Sequence, residues 1–496
     1  MIDMGSNSWR LVVYGFERGG PWSLIDEIRE AVRIGAGMGD EGTLKEEPID
    51  RGLHTASVFA SFCHAAGIDR IEAVATSAIR DAENRDDLLD AIRERTGMEV
   101  RVLSGREEAH YGYLAIANST TLSNGFGIDL GGGSVQLMQL EERRLFRAES
   151  LPLGSVRMSE AFLPGEKART KETKAVRKHV RGELEQLGWW TGGGRLVGIG
   201  GTIRNLATAV QKQLDHPDID IGGFILTSAD LEELIALLAS KPASKRGTVS
   251  GIKPDRGDVI LGGALTLAAA MREGGFDELE VSEAGLREGI FFESLLDDRE
   301  PPLFDDVRRE SVENLALRFD HDLPHARHVA KLSLEILDGL AAAGLHEHGE
   351  AERQLLWAAC RLHDIGTAID YDDHHRHSHY LILNAGLPGY TQRELVLIGL
   401  IARYHRKGDP DASPLGDFAE KGDGELLQVL CGVIRLAEQL ERSRDRSILA
   451  VEVAKENGRV ALTAHAGEGD PSVAMWAARR NADVLAAALG REVEVT

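Results

Sequence analysis

Two short glycine-bearing loops, each led by an aspartate at the end of a strand-like segment, restrict this chain of 496 residues more than any other feature. Asp3-Met4-Gly5-Ser6-Asn7-Ser8 follows the opening strand residues, and Asp129-Leu130-Gly131-Gly132-Gly133-Ser134 follows the apolar run Phe126 to Leu130. Glycines let backbone N–H groups converge on one anion, hydroxyls add donors, and an acid at the strand end can hold a hydrated metal. Either loop alone is a common Gly-Ser turn. Two of them, each at a strand end in a region that alternates strand and helix, make a phosphate clamp and call for an α/β fold.

The surrounding pattern supports this. Leu11 to Phe16, Ile71 to Ala75 and Val100 to Leu103 read as buried strands, and Ile49 to Ala66 and Arg85 to Thr96 carry helical spacing. Phe126 to Leu130, Ser134 to Leu140 and Arg144 to Leu153 read as consecutive strands, and Leu196 to Gly200 as a strand followed by a helix from about Thr202. The charged, proline-bearing segment Asp297 to Asp306 marks a boundary. Beyond it helical periodicity runs to about residue 446, with eleven of the 17 histidines between positions 321 and 405. Two short strands, Ile448 to Ala454 and Arg459 to Ala464, and a helix from about Ser472 to Gly490 complete the chain as a small α/β unit. The division expected is therefore 1–120, 121–298, 299–446 and 447–496.

Charge narrows the partners. A net charge of −23 repels polyanions from most of the surface, so an anion site must be local, and nucleic acid is not expected as a partner. The densest basic stretch runs from Lys167 to Arg181, and a second cluster comprises Lys241, Lys245, Arg246, Lys253 and Arg256. Each reads either as a solvated face or as a holder for a long anion. No apolar run reaches the ~18 residues of a membrane span, and Met1 leads straight into a strand without a leader pattern, which points to the cytoplasm. Only two residues precede Asp3, so a few upstream residues are expected to be missing. Cys63, Cys360 and Cys431 have no metal or redox spacing and read as small buried hydrophobes.

The paired loops resemble the phosphate motifs of the actin-like superfold, and Ile2-Asp3-Met4-Gly5-Ser6-Asn7-Ser8 is similar in detail to the exopolyphosphatase / guanosine pentaphosphate phosphohydrolase family. Further resembling segments follow in family order. They are Ala75-Thr76-Ser77-Ala78-Ile79-Arg80-Asp81-Ala82-Glu83-Asn84, Ser104-Gly105-Arg106-Glu107-Glu108-Ala109, Gly198-Ile199-Gly200-Gly201-Thr202 and Gly285-Leu286-Arg287-Glu288-Gly289. The resemblance implies two actin-like (ribonuclease H-like) domains around a cleft that releases the terminal phosphate of polyphosphate or the γ-phosphate of pppGpp. It also implies a homodimer.

By position in these motifs, Glu108 is the expected carboxylate for the attacking water, and Asp3 and Asp129 the expected holders of Mg²⁺ or Mn²⁺. Gly5, Ser6, Asn7, Ser8, Arg80, Gly131, Gly132, Gly133, Ser134, Gly200, Gly201 and Thr202 are the expected phosphate contacts. Other readings stay open: Glu107 and Glu108 also suit an ordinary helix start, and Arg80 and Asn84 also suit a helix anchor. The chain departs from the family at Gln136, where the pattern has Glu; the uncharged side chain puts metal affinity or water activation there in question. An ATP-dependent kinase, or a sensor that binds without hydrolysing, are the rival functions.

His325-Ala326-Arg327-His328 and His363-Asp364 resemble the HD phosphohydrolase signature. That resemblance implies an all-α HD-like domain and a second divalent metal held by His325, His363, Asp364 and Glu438, the last replacing the usual Asp. His374, His375, His377 and His379 cluster beside it in the sequence. Hydrolysis in this domain is a further alternative.

Overall fold

The computed structural model describes residues 1–38, 42–214, 216, 219–319 and 322–496; His321, the first histidine of the run, lies outside them. The chain forms two compact units, one holding most of residues 1–307 and the other residues 308–496.

The first unit repeats one sheet design. Its first sheet comprises β1 (Ile2–Met4), β2 (Trp9–Phe16), β3 (Trp22–Glu30), β4 (Ala73–Ala75) and β5 (Val100–Val102), in the order β3-β2-β1-β4-β5. The second comprises β6 (Gly125–Leu130), β7 (Val135–Glu141), β8 (Arg144–Leu151), β9 (Leu196–Ile199), β10 (Ile225–Thr227) and β11 (Glu278–Val281), in the order β8-β7-β6-β9-β11-β10. In both, an antiparallel meander is extended on its first strand by parallel strands, β4 and β5 in one, β9 and β11 in the other. The central strands β1 and β6 therefore occupy equivalent places, and each delivers one aspartate-led loop. The mixed α/β, actin-like architecture expected from the paired loops is present.

Packing follows the strand alternation. Ile2, Met4, Trp9 and Leu11 of the first sheet close on Phe59 and Cys63 of the helix Glu46–Ala65 and on Leu88 and Ile92 of the helix Arg85–Thr96. Each such side chain taken out of water stabilises the fold by roughly 1.5–3 kcal/mol. Asp297 to Asp306 does not act as a free linker, because Asn118 and Arg143 strap it to the first unit. Asn118 Nδ2 donates to the Pro302 carbonyl at 2.9 Å, the Phe304 amide to Asn118 Oδ1 at 2.8 Å, and Arg143 to the Phe304 carbonyl at 2.7 Å. The first compact unit accordingly extends to Val307.

The second unit is built on the helices Leu323–Ala342, Glu350–Leu362, His374–Ala385, Gln392–Tyr404 and Asp423–Leu440. Residues 447–496 share their hydrophobic core, with Ile448, Val451, Val460, Leu462 and Leu485 buried among the helical side chains. The single helix expected from Ser472 is two, Ser472–Arg480 and Asp483–Leu489, because Asn481 leaves helical geometry (φ −126°, ψ 21°) and its side chain donates back to the Ala477 carbonyl. A third strand, Val493–Val495, lies parallel to Arg459–Ala466; at three residues it is too short to announce itself by alternation. Among the described residues, no helix is long and apolar enough to cross a membrane.

Candidate active site

The two loops are equivalent to the residue. Asp3 pairs across the sheet with Arg10 as Asp129 does with Gln136, each seven positions on. In each loop the first glycine lies against the carbonyl of the closing serine: a Cβ on Gly5 would stand 3.1 Å from the Ser8 oxygen, and one on Gly131 3.2 Å from that of Ser134. The loops also meet one another. A Cβ on Gly133 would fall 2.4 Å from Ser77 Oγ, which shares a 3.0 Å hydrogen bond with Ser6 Oγ, so only glycine lets the second loop come this close to the first lobe. The carbonyls of Gly131, Gly132 and Gly133 accept from the amides of Ser155, Val156 and Gly154, which fixes the loop from behind.

Glu107 and Glu108, indistinguishable as a helix-start pair in the sequence, have different fates. Ser104 Oγ accepts from the Glu107 amide and Glu107 Oε2 accepts from the Ser104 amide, a capping box at the head of the helix Gly105–Ser119. Glu108, one position on, is buried and lines the cleft. Its Oε1 pairs with the Arg80 guanidinium, and its Oε2 accepts from Gln136 Nε2 at 3.0 Å and from Ser134 Oγ at 3.4 Å. Burial drives its pKa up to about 7; Arg80 opposes this, and Asp129 and Asp3 add to it. Arg80, expected at a phosphate, contacts Glu108 and the Leu103 carbonyl, the latter 3.0 Å away.

The cleft is lined by both acids and arginines. Asp3 and Asp129 both have raised pKa values, foremost through desolvation; for Asp129, at about 6, the Arg204 charge opposes and Asp3 adds. Gly200 (φ +94°) lets the backbone pack against Asp129, since a Cβ there would lie 2.4 Å from Oδ1. Arg10, Arg204, Arg256 and Arg287 line the same cleft. Arg10 and Arg256 are each lowered to about 10, first by burial and then by neighbouring arginines. Arg10 pairs with Glu27 at 2.9 Å and Arg287 lies 3.7 Å from the same carboxylate, so four cations are concentrated at one point of an acidic protein.

Of the expected contacts, Gly5, Ser6, Asn7, Ser8, Gly131, Gly132, Ser134, Gly200 and Gly201 line the cleft with Asp3, Asp129 and Glu108. Thr202 is buried behind it and accepts from Arg256 at 3.4 Å; Gly133 packs on Ser77. The four arginines were not foreseen as a set. Arg204 and Arg287 lie within or just past segments that the motifs single out, and Arg256 ends the second basic cluster, so the signal was present but its convergence was not. Two cations of the first basic stretch form ion pairs away from the cleft: Arg177 with Glu232, both contacts at 2.7 Å, and Arg181 with Glu185 at 2.7 Å. In the second unit His325, His363, Asp364 and Glu438 do converge, with Glu438 Oε2 at 3.0 Å from His325 Nε2 and 3.2 Å from His363 Nε2.

Comparison with known proteins agrees with this geometry. The Ppx/GppA phosphatase family model matches residues 12–298, and that of Ppx/GppA phosphatase, domain III, matches residues 307–467. The solved Ppx/GppA family member of Aquifex aeolicus is similar at 27% identity and a TM-score of 0.52, over 60% of this chain and 97% of its own. An exopolyphosphatase-like protein is similar at 26% identity and a TM-score of 0.54, over 60% and 98%. An exopolyphosphatase from Cytophaga hutchinsonii shares the fold at 23% identity and a TM-score of 0.55, over 59% and 96%. With the family model covering more than half of its length, this chain belongs to the Ppx/GppA phosphatase family, whose members are phosphate-releasing hydrolases.

Proposed function

We propose that the chain releases the terminal phosphate of inorganic polyphosphate, or the γ-phosphate of guanosine pentaphosphate, by in-line attack of water. The observation that carries this reading is Glu108: a buried carboxylate with a pKa of about 7, facing the cleft between two glycine loops and flanked by arginines. A base whose pKa lies near the working pH is both ionised often enough and basic enough to take a proton from water. The Arg80, Gln136 and Ser134 contacts fix its orientation, and phosphoryl transfer asks the protein mainly for positioning and charge neutralisation. The loops would hold the terminal phosphate through backbone amides and hydroxyls, and Arg10, Arg204, Arg256 and Arg287 would hold the oxygens of the remaining chain.

Asp3 and Asp129 suit a hydrated divalent cation, because both carboxyls line one cleft and the charge of Asp3 helps raise the pKa of Asp129. Mg²⁺ or Mn²⁺ bound there would supply neutralisation of the charge that develops on the leaving phosphate chain.

The test is phosphate release with Mg²⁺ from long-chain polyphosphate and from pppGpp, comparing the native chain with Glu108→Ala and His363→Ala. Loss of a hundredfold or more in kcat for Glu108→Ala alone is expected (about 10²–10⁴ for a general base). Full activity in Glu108→Ala with loss in His363→Ala would move the reaction to the second unit, and no release from the native chain would leave a binding protein.

A further inference from the structure

Arg287 lines the cleft at only 7% exposure, yet the two acids beside it leave its hydrogen-bond donors untouched. Its Nη1 lies 3.7 Å from Oε1 of Glu27 and its Nη2 3.9 Å from Oε1 of Glu288, both beyond hydrogen-bond distance. The acids are already engaged by other donors. Glu27 Oε1 accepts from Arg10 at 2.9 Å, Glu288 Oε1 accepts from the Tyr14 hydroxyl at 2.7 Å, and Glu288 Oε2 accepts from the Gly285 amide at 2.8 Å. The two carboxylates therefore balance the charge of Arg287 without taking up its N–H groups, which stay available to an anion in the cleft.

Tyr14 is the part of this arrangement that comes from a different element. It stands on β2, and its ring stacks on Phe291 at 4.2 Å with 16° between the planes; Phe291 belongs to the helix Leu286–Leu295, whose first turn carries Arg287 and Glu288. Burial, and next the Glu288 charge, push the pKa of the Tyr14 hydroxyl up, so it stays protonated and donates. Desolvation alone would neutralise Glu288, but Arg287, Arg204 and the Tyr14 hydrogen bond outweigh it and hold the carboxyl below its ordinary pKa. A buried carboxylate deprived of one donor is driven to take another, and Nη2 of Arg287 stands within reach at 3.9 Å.

We infer that Tyr14 is a positioning residue: by occupying Oε1 of Glu288 it keeps the donors of Arg287 free for the phosphate oxygens of the substrate. The inference deepens, and rests on, the reading of the cleft as a phosphate-chain site. Tyr14 acts through Arg287 and not on the substrate itself, so its effect should exist only while the guanidinium is present.

A double-mutant cycle tests this in the full-length chain. Tyr14→Phe keeps the ring and its stack on Phe291 and removes only the donor; Arg287→Lys keeps the charge that Glu288 needs and loses the planar fork. Binding of inorganic tripolyphosphate is measured by calorimetry on the native chain, the two single variants and the double variant, with a chelator present to prevent turnover. Tyr14→Phe should weaken binding about fivefold in the native background and less than about twofold beside Arg287→Lys. With Mg²⁺ restored, Tyr14→Phe should raise KM for polyphosphate by a similar factor with kcat little changed, the split expected of a lost ground-state contact. Equal weakening in both backgrounds, no weakening in either, or a fall in kcat at unchanged KM would each overturn the inference while leaving the cleft reading in place. Tripolyphosphate that fails to bind the native chain would overturn both together.

Discussion

Gln136 donates an amide hydrogen to Oε2 of Glu108 across 3.0 Å, from the strand position directly opposite Asp129. A neutral donor at this point favours the ionised form of the proposed base, whereas a carboxylate would oppose it. The sheet register that places Gln136 opposite Asp129 also places Arg10 opposite Asp3, so in both lobes the residue across from the acid is uncharged or cationic.

Gln136→Glu should therefore raise the pKa of Glu108 further above about 7, by roughly one unit from an added like charge. The acid limb of the pH profile of kcat/KM moves upward by that amount, with activity reduced at pH 7 and recovered near pH 9. An unshifted limb would show that Glu108 is not the group whose ionisation limits the rate.

Arg256 is one of four arginines in the cleft and is held by Thr202 from behind. Arg256→Gln should raise KM for long polyphosphate about tenfold with a smaller change in kcat, since one charge-assisted contact contributes ~1.5–3 kcal/mol. The dependence of kcat/KM on salt should weaken as well, because one fewer cation meets the substrate. Steady-state kinetics across a salt series reads both.

Asp129 has a folded pKa of about 6 against 3.8 for the free side chain, first because of desolvation. The folded state therefore binds more proton than the unfolded between those values. The contribution of Asp129 to stability is fully present below pH 4 and is lost as the pH rises through 6. Asp129→Asn should accordingly stabilise the divalent-free chain at pH 8 by on the order of 2 kcal/mol, little or not at all at pH 4, while abolishing phosphate release. Urea midpoints at the two pH values make the comparison.

Gly200 combines φ +94° with a backbone against Asp129 Oδ1. Gly200→Ala should cost roughly 1–3 kcal/mol of stability from backbone strain and displace Asp129, lowering activity more than Gly→Ala at the exposed turn Gly67. Thermal melts and phosphate release on both variants test whether the effect is local to the cleft.

The sequence alone determined the parts whose physics is local. Strand alternation, glycine turns after an acid, and the Ser104–Glu107 capping box each depend on a few consecutive residues, so both aspartate-led glycine loops and most strands of the first unit were legible within a few positions. Two errors were also local: a three-residue strand at Val493 carries too little alternation, and Asn481 breaks a helix through its own side chain. Only the tertiary structure separated Glu108 from Glu107, paired Arg80 with Glu108, and gathered Arg10, Arg204, Arg256 and Arg287 around one cleft. It likewise brought His374 and His405, thirty-one positions apart, to 3.2 Å beside Asp364. Burial and proximity between distant segments set these charges and pKa values, and no run of neighbouring residues encodes them.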